Sequence, residues 1–168
     1  MVGVAPFKTL SVVGAGAWGT ALANLAAHNG VAVRLWARET EVVKTINLAH
    51  ENTLYLPGVP LHPDLTATQS LEEAAQAEAF LFVVPAQHSR KMMAALRPLA
   101  GKAPPVALCS KGIEQTTGMM LTQALGEAWP EAIPAVLSGP SFARDVAKGL
   151  PTAVTLAVAD AGLGRRWM

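Results

Sequence analysis

The stretch VVGAGAWG, from Val12 to Gly19, constrains this chain more than any other. Gly14, Gly16 and Gly19 stand in G-x-G-x-x-G spacing between an apolar run, TLSVV, and a small-residue helical pattern, WGTALANLAA. Strand, glycine turn and helix in that order have a specific physical use. Gly14 permits a tight turn, Gly16 lets backbone approach a pyrophosphate, and Gly19 lets the helix pack closely on the strand. The helix start, with Ala17 and Trp18, offers unpaired N–H groups and a partial positive charge to phosphates. The same glycines could serve packing alone. A second strand-like run at Ala32–Trp36 completes the unit that dinucleotide binding requires.

The rest of the chain repeats the alternation. Strands are expected at Thr9–Val13, Ala32–Trp36, Ala79–Val84, Pro105–Leu108, Ala135–Leu137 and Ala153–Ala157, with a weaker one at Leu65–Thr68. Helical patterns cover Trp18–Ala27, Glu41–Leu48, Leu71–Ala77, Ser89–Leu96, Met119–Ala128 and Phe142–Lys148. Several strands are apolar without alternation, as strands buried on both faces are. The expected fold class is therefore α/β, a doubly wound, mostly parallel sheet with helices on both faces. With 51% apolar and 15% charged residues, the 168-residue chain can bury a core and fits one domain.

Composition also narrows the function. A net charge of +1 without a basic run argues against a nucleic-acid surface. No 18 apolar residues run uninterrupted, so no membrane-spanning helix is expected. The apolar N-terminus lacks the basic start of a signal peptide, and Lys8 interrupts it. The lone Cys109 excludes an intrachain disulfide, fits a reducing compartment and reads as a buried hydrophobe rather than a nucleophile. Zinc-ligand spacing, a Walker A pattern and a G-x-S-x-G elbow are absent. The loop ENTLYLPGVPLHPDL is expected to be ordered near the ligand. The sequence stops just as a helix begins after the last strand, so it is expected to be a piece of a longer protein.

Candidate ligand residues sit at strand ends, where α/β sheets bind ligands. Arg38 lies where an acidic residue would hold the ribose of NAD. Arginine suits a 2′-phosphate, so NADP is favoured, while the adjacent Glu39 keeps NAD open. Pro85 ends the run LFVV, either as a plain strand terminator or, in this fold class, at the border of the nicotinamide side; His88 reads as a surface or helix-start residue. Lys111, between Ser110 and Gly112, follows the run PPVAL and can bind a phosphate or polarise a carbonyl. Ser138, Gly139, Pro140 and Ser141 make a third such turn, with Ser141 read as the N-cap of a short helix closed by Gly149.

Together, GAGAWGTALA, NTLYLPGVPL, VVPAQ, SKGIE and LSGPSFARDVAKGLPTAV resemble the bacterial-type NAD(P)-dependent glycerol-3-phosphate dehydrogenases, from about Leu10 to Ala159. The resemblance implies a Rossmann-type NAD(P)-binding domain over residues 1–168. It implies a cytoplasmic enzyme that interconverts dihydroxyacetone phosphate and sn-glycerol 3-phosphate for glycerophospholipid synthesis. It also implies cofactor contacts at Ala17, Trp18, Arg38, Lys111 and Ala143, beside Gly14, Gly16, Gly19 and Pro85. Substrate contacts are implied at Lys111, Gly139 and Ser141, with Lys111 polarising the substrate carbonyl and no metal involved. The family often has serine at position 17, so Ala17 retains only a backbone contact, and glutamate is usual where Asp145 stands. The family carries a second, all-helical domain with a proton-donor lysine, most of the phosphate site and the homodimer contacts. This chain alone is therefore expected to bind cofactor without turnover. Two other readings are a related β-hydroxyacid or sugar-acid dehydrogenase domain, which SKGIE and SGPSFA argue against, and a non-catalytic dinucleotide-binding module.

Overall fold

The computed structural model describes residues 5–168; Met1–Val4, which open the apolar N-terminal stretch, lie outside the described residues. In chain order the elements are β1 (Thr9–Val13), α1 (Ala17–His28), β2 (Ala32–Trp36), α2 (Thr40–Ala49), β3 (Thr66–Thr68), α3 (Leu71–Ala74) and β4 (Ala79–Phe82). They continue as α4 (Ala86–Leu96), β5 (Pro105–Leu108), α5 (Leu121–Ala128), β6 (Ile133–Ser138), α6 (Ala143–Ala147), β7 (Thr155–Val158) and α7 (Ala161–Arg166).

The strands form one sheet in the order β3-β2-β1-β4-β5-β6-β7. Period-two alternation sends apolar side chains to both faces. Leu10 and Val12 of β1 and Leu81 of β4 join Leu22, Val42 and Ile46 from α1 and α2. Val13, Phe80 and Phe82 join Met93, Leu96 and Leu125 from α4 and α5 on the other face. Trp129 is buried there, its ring 5.6 Å from that of Phe80 in an edge-on contact. Burying one such large apolar side chain contributes about 1.5–3 kcal/mol. Two covered faces explain why β4 (AFLF) and β5 (PVAL) lack polar residues; in β1, Ser11 keeps a buried hydroxyl with no partner among the described residues.

The expectation of a mostly parallel, doubly wound sheet is met. β7 is the exception, pairing antiparallel to β6 with Ser138 opposite Thr155. A parallel return would need a crossover back to the other end of the sheet. Here the five-residue α6 stays at the carboxyl end instead. Val146 packs with Ala21, Leu56 and Val59, and Asn24 Nδ2 donates to Ala147 O at 3.2 Å. The chain can then only re-enter the sheet downward.

Several element ends differ from the sequence patterns. The helix read over Leu71–Ala77 stops at Ala74. Its start is set by Ser70, whose Oγ accepts from Glu73 N at 3.1 Å. Helix α4 begins at Ala86, directly after Pro85, so His88 lies in its first turn. Helix α5 starts at Leu121 because Met120 is paired in a bridge with Ile113. Ser141 is not a helix cap: the N-cap of α6 is Phe142, and Ser141 Oγ donates to Ala153 O at 3.0 Å. The helix beginning after β7 is α7, capped by Asp160, whose Oδ1 accepts from Leu163 N at 2.6 Å.

Candidate dinucleotide site

The strand order reverses between β1 and β4, and ligands of open α/β sheets bind at the carboxyl ends of strands beside such a reversal. The glycine turn lies there. Gly14 has φ +115, and its N–H donates to Trp36 O at 3.0 Å. A Cβ on Gly14 would come within 3.0 Å of Val83 backbone. A Cβ on Gly19 would stand 1.8 Å from Gly14 O, so α1 can rest on the turn only without a side chain there. Gly16 is different. Its φ of −66 and ψ of 178 suit any residue, and a Cβ there would meet nothing within 4 Å. Nothing among the described residues requires glycine at position 16.

Helix α1 begins at this turn with no side-chain cap and no acidic residue in its first turn. Thr20 N bonds back to Gly16 O at 2.9 Å, while the amides of Ala17, Trp18 and Gly19 have no acceptor among the described residues. Orphan amides of this kind, with the positive end of the helix dipole, form an anion site. The open approach at Gly16 and these amides fit a pyrophosphate.

The turn is braced from below by the long loop. Asn52 is fully buried, and its Nδ2 donates to Ala15 O at 2.9 Å and to Thr20 Oγ1 at 2.8 Å. Asn52 Oδ1 accepts from Tyr55 N at 3.1 Å. Leu56 and Val59 then pack beside Ala17, Trp18 and Ala143. The loop is ordered, as expected, and packs next to the turn, with Ala143 in the same cluster.

At the end of β2, Arg38 projects with its side chain 79% exposed. Its Nη2 and Nε donate to Glu39 Oε1 at 2.8 and 3.1 Å. The Tyr55 hydroxyl donates to the same oxygen at 3.3 Å. Both charges proposed for the ribose end thus stand together at the rim.

Past β4, the Pro85 corner opens α4, and the loop after β5 is tied to it. Ser110 Oγ donates to Val84 O at 2.6 Å. Gln87 Nε2 donates to Ile113 O at 2.9 Å, and Gln87 Oε1 accepts from Gln115 N at 2.9 Å. Lys111 sits between these ties, exposed, with no side-chain partner among the described residues. Cys109 is buried, and burial pushes its thiol up to about 12, away from the thiolate form.

The turn after β6 is built otherwise. A Cβ on Gly139 would lie 2.6 Å from Ala153 O and 2.9 Å from Val154 Cα. Gly139 and Ser141 are both used by the approach of residues 153–154. Gly149, with φ +71, closes α6 as expected.

Residues 9–163 match the model of the NAD-dependent glycerol-3-phosphate dehydrogenase N-terminus. The chain belongs to this family. A protein of Parvibaculum lavamentivorans named glycerol-3-phosphate dehydrogenase (NAD(P)+) is 57% identical over 92% of this chain and 46% of its own length. Its namesake from Hyphomonas neptunium is 58% identical over 94% of this chain and 47% of its own. The crystal structure of glycerol-3-phosphate dehydrogenase from Coxiella burnetii superposes with a TM-score of 0.87 at 32% identity, over 94% of this chain and 49% of that one. The chain spans about half the length of these relatives. Among the described residues, no helix is long and apolar enough to cross a membrane.

The structure brings Gly14, Gly16, Ala17, Trp18 and Gly19 into one turn, with Ala143 beside it and Pro85 and Lys111 across the strand reversal. Sequence reasoning missed Asn52, and it missed the pairing of Arg90 with Glu114. Asn52 lay in a recognised motif, but its partners are 37 and 32 positions away. Glu114 carried a usable signal, an acidic residue inside a loop that the sheet's carboxyl end buries.

Proposed function

We propose that residues 1–168 form the dinucleotide-binding unit of an enzyme that interconverts dihydroxyacetone phosphate and sn-glycerol 3-phosphate, with NADP favoured over NAD. The observation that carries this reading is Gly16: the fold has no need of glycine there, and a pyrophosphate does. When bound, the nicotinamide supplies or accepts a hydride. The amides of Ala17, Trp18 and Gly19 take the pyrophosphate charge, and Arg38 takes the 2′-phosphate. Pro85 shapes the nicotinamide side. Lys111 contacts the cofactor and the substrate carbonyl oxygen, where a cation stabilises negative charge as it develops. Gly139 and Ser141 line the substrate side, Ser141 with its hydroxyl already engaged. The proton donor, most of the substrate-phosphate site and most homodimer contacts are assigned to the half of the enzyme outside this chain, and the enzyme as a whole serves glycerophospholipid synthesis in the cytoplasm.

Calorimetric titration of this chain with NADPH and NADH tests the reading. Both bind, NADPH more tightly. Arg38→Ala weakens NADPH by roughly 1.5–3 kcal/mol, the worth of a charge-assisted contact, and NADH far less. Equal losses for the two cofactors would remove Arg38 from the 2′-phosphate, and no binding of either would end the proposal. NADPH oxidation dependent on dihydroxyacetone phosphate is expected only of the longer enzyme; turnover by this chain alone would relocate the catalytic groups.

A further inference from the structure

We infer that Glu114, gripped by Arg90, is a positioning residue that sets where the Lys111 ammonium stands. The inference rests on the reading of Lys111 as a cofactor and substrate contact. It starts from burial. Glu114 is only 7% exposed, and carboxylates are seldom buried unless paired. Its pairing is extensive. Arg90 Nε donates to Oε1 at 2.8 Å and Nη2 donates to Oε2 at 2.8 Å, a two-pronged contact. Thr117 Oγ1 donates to Oε2 at 2.5 Å. Arg90 Nη1 continues to Glu127 Oε2 at 2.7 Å. One guanidinium thus joins α4, the loop after β5, and α5.

Stability alone is a poor account of this cluster. Apolar residues of similar volume in place of a buried ion pair are often neutral or stabilising. A bidentate pair supplies geometric definition instead. The loop needs that definition, since Gly112 and Gly118 turn it through φ of +131 and +70, and its own backbone pairing is confined to the Ile113–Met120 bridge and the turn at Glu114–Met119 among the described residues. A Cβ on Gly112 would stand 3.1 Å from Ala86 Cβ, so the loop lies directly on the start of α4. Besides the bridge to Met120 and the ties of Glu114 to Met119 O and Thr117 within the loop, Ser110, Ile113, Glu114 and Gln115 are each tied to α4 or the corner before it. The anchors flank Lys111 and leave its side chain unengaged. The Pro85 corner and the backbone around Lys111 are therefore tied together, and Glu114 is the buried bolt between them.

A double-mutant cycle read by NADPH dissociation constants of this chain tests the inference. Lys111→Ala is made in the native background and in Glu114→Ala. Expected is about a tenfold loss in the native background and less than about twofold where Glu114 is already replaced, because coupled residues are non-additive. Amide exchange across residues 110–118 rises in Glu114→Ala while that of α1 stays unchanged. Should Glu114→Ala fail to fold, Glu114→Gln, which keeps volume and loses charge, takes its place in the cycle. Equal losses from Lys111→Ala in both backgrounds overturn the positioning role and leave Lys111 as a contact. No loss in the native background overturns the reading of Lys111 itself, and the positioning role with it.

Discussion

The turns after β1 and β6 both put glycine at the carboxyl end of the sheet, and the chain accounts for them differently. After β6, Gly139 is demanded by the backbone of Ala153 and Val154, and the Ser141 hydroxyl is spent on Ala153 O. After β1, Gly14 and Gly19 are demanded by Val83 and by each other, but Gly16 is demanded by nothing among the described residues. Three amides beside it also lack acceptors among the described residues. A glycine explained by its own fold says little about a ligand. One left unexplained, next to unpaired donors, points outward. By that measure the β1 turn carries the stronger claim to a ligand, and the β6 turn is first a packing device.

Substitutions can break that contrast. The largest effect is expected at Gly19→Ala, whose Cβ would lie 1.8 Å from the Gly14 carbonyl oxygen, a backbone atom that cannot swing aside. A loss of about 3 kcal/mol or more in urea unfolding is expected from such overpacking. A near-native midpoint would show that the turn can relax, and the contrast with Gly16 would fail. Gly16→Val should leave that midpoint unchanged and weaken NADPH more than about a hundredfold, roughly 2.7 kcal/mol. Near-native affinity in this variant would remove the pyrophosphate from the turn. Gly139→Ala should cost about 1–3 kcal/mol of stability while leaving dinucleotide affinity closer to native than Gly16→Val does. The reverse pattern, intact stability with lost binding, would make the β6 turn the better site.

The smallest effect concerns acid. Hydrogen bonds from Arg90 and Thr117 hold the Glu114 carboxyl at about 2, below its ordinary 4.5. The folded state therefore binds this proton less readily than the unfolded state. The stabilisation is complete above about pH 4.5 and is lost as pH falls from there through about 2. Urea midpoints of the native chain and Glu114→Gln should be separated at pH 6 and converge as pH drops through that window. A constant separation would show that charge is not what Glu114 contributes.

Local chemistry made much of this legible from residues alone. The strands Thr9–Val13, Ala32–Trp36 and Pro105–Leu108 have the bounds their sequence patterns imply; Pro105–Leu108 is the clearest, because a strand covered on both faces tolerates almost no polar residue. The glycine turn was legible because its spacing encodes backbone clearance within a few residues. What the tertiary structure decided depends on distant partners. The direction of β7 followed from where α6 is held by α1, not from the apolar run that makes it a strand. Ser141 looks like a helix cap in one dimension, yet its acceptor is a carbonyl 12 residues on. Asn52 became the brace of the glycine turn, and Glu114 the anchor of the Lys111 loop, through partners 37 and 24 residues away. A sequence displays the donors and acceptors that such residues carry. Only the folded sheet, by choosing which strand ends become neighbours, decides whom they meet.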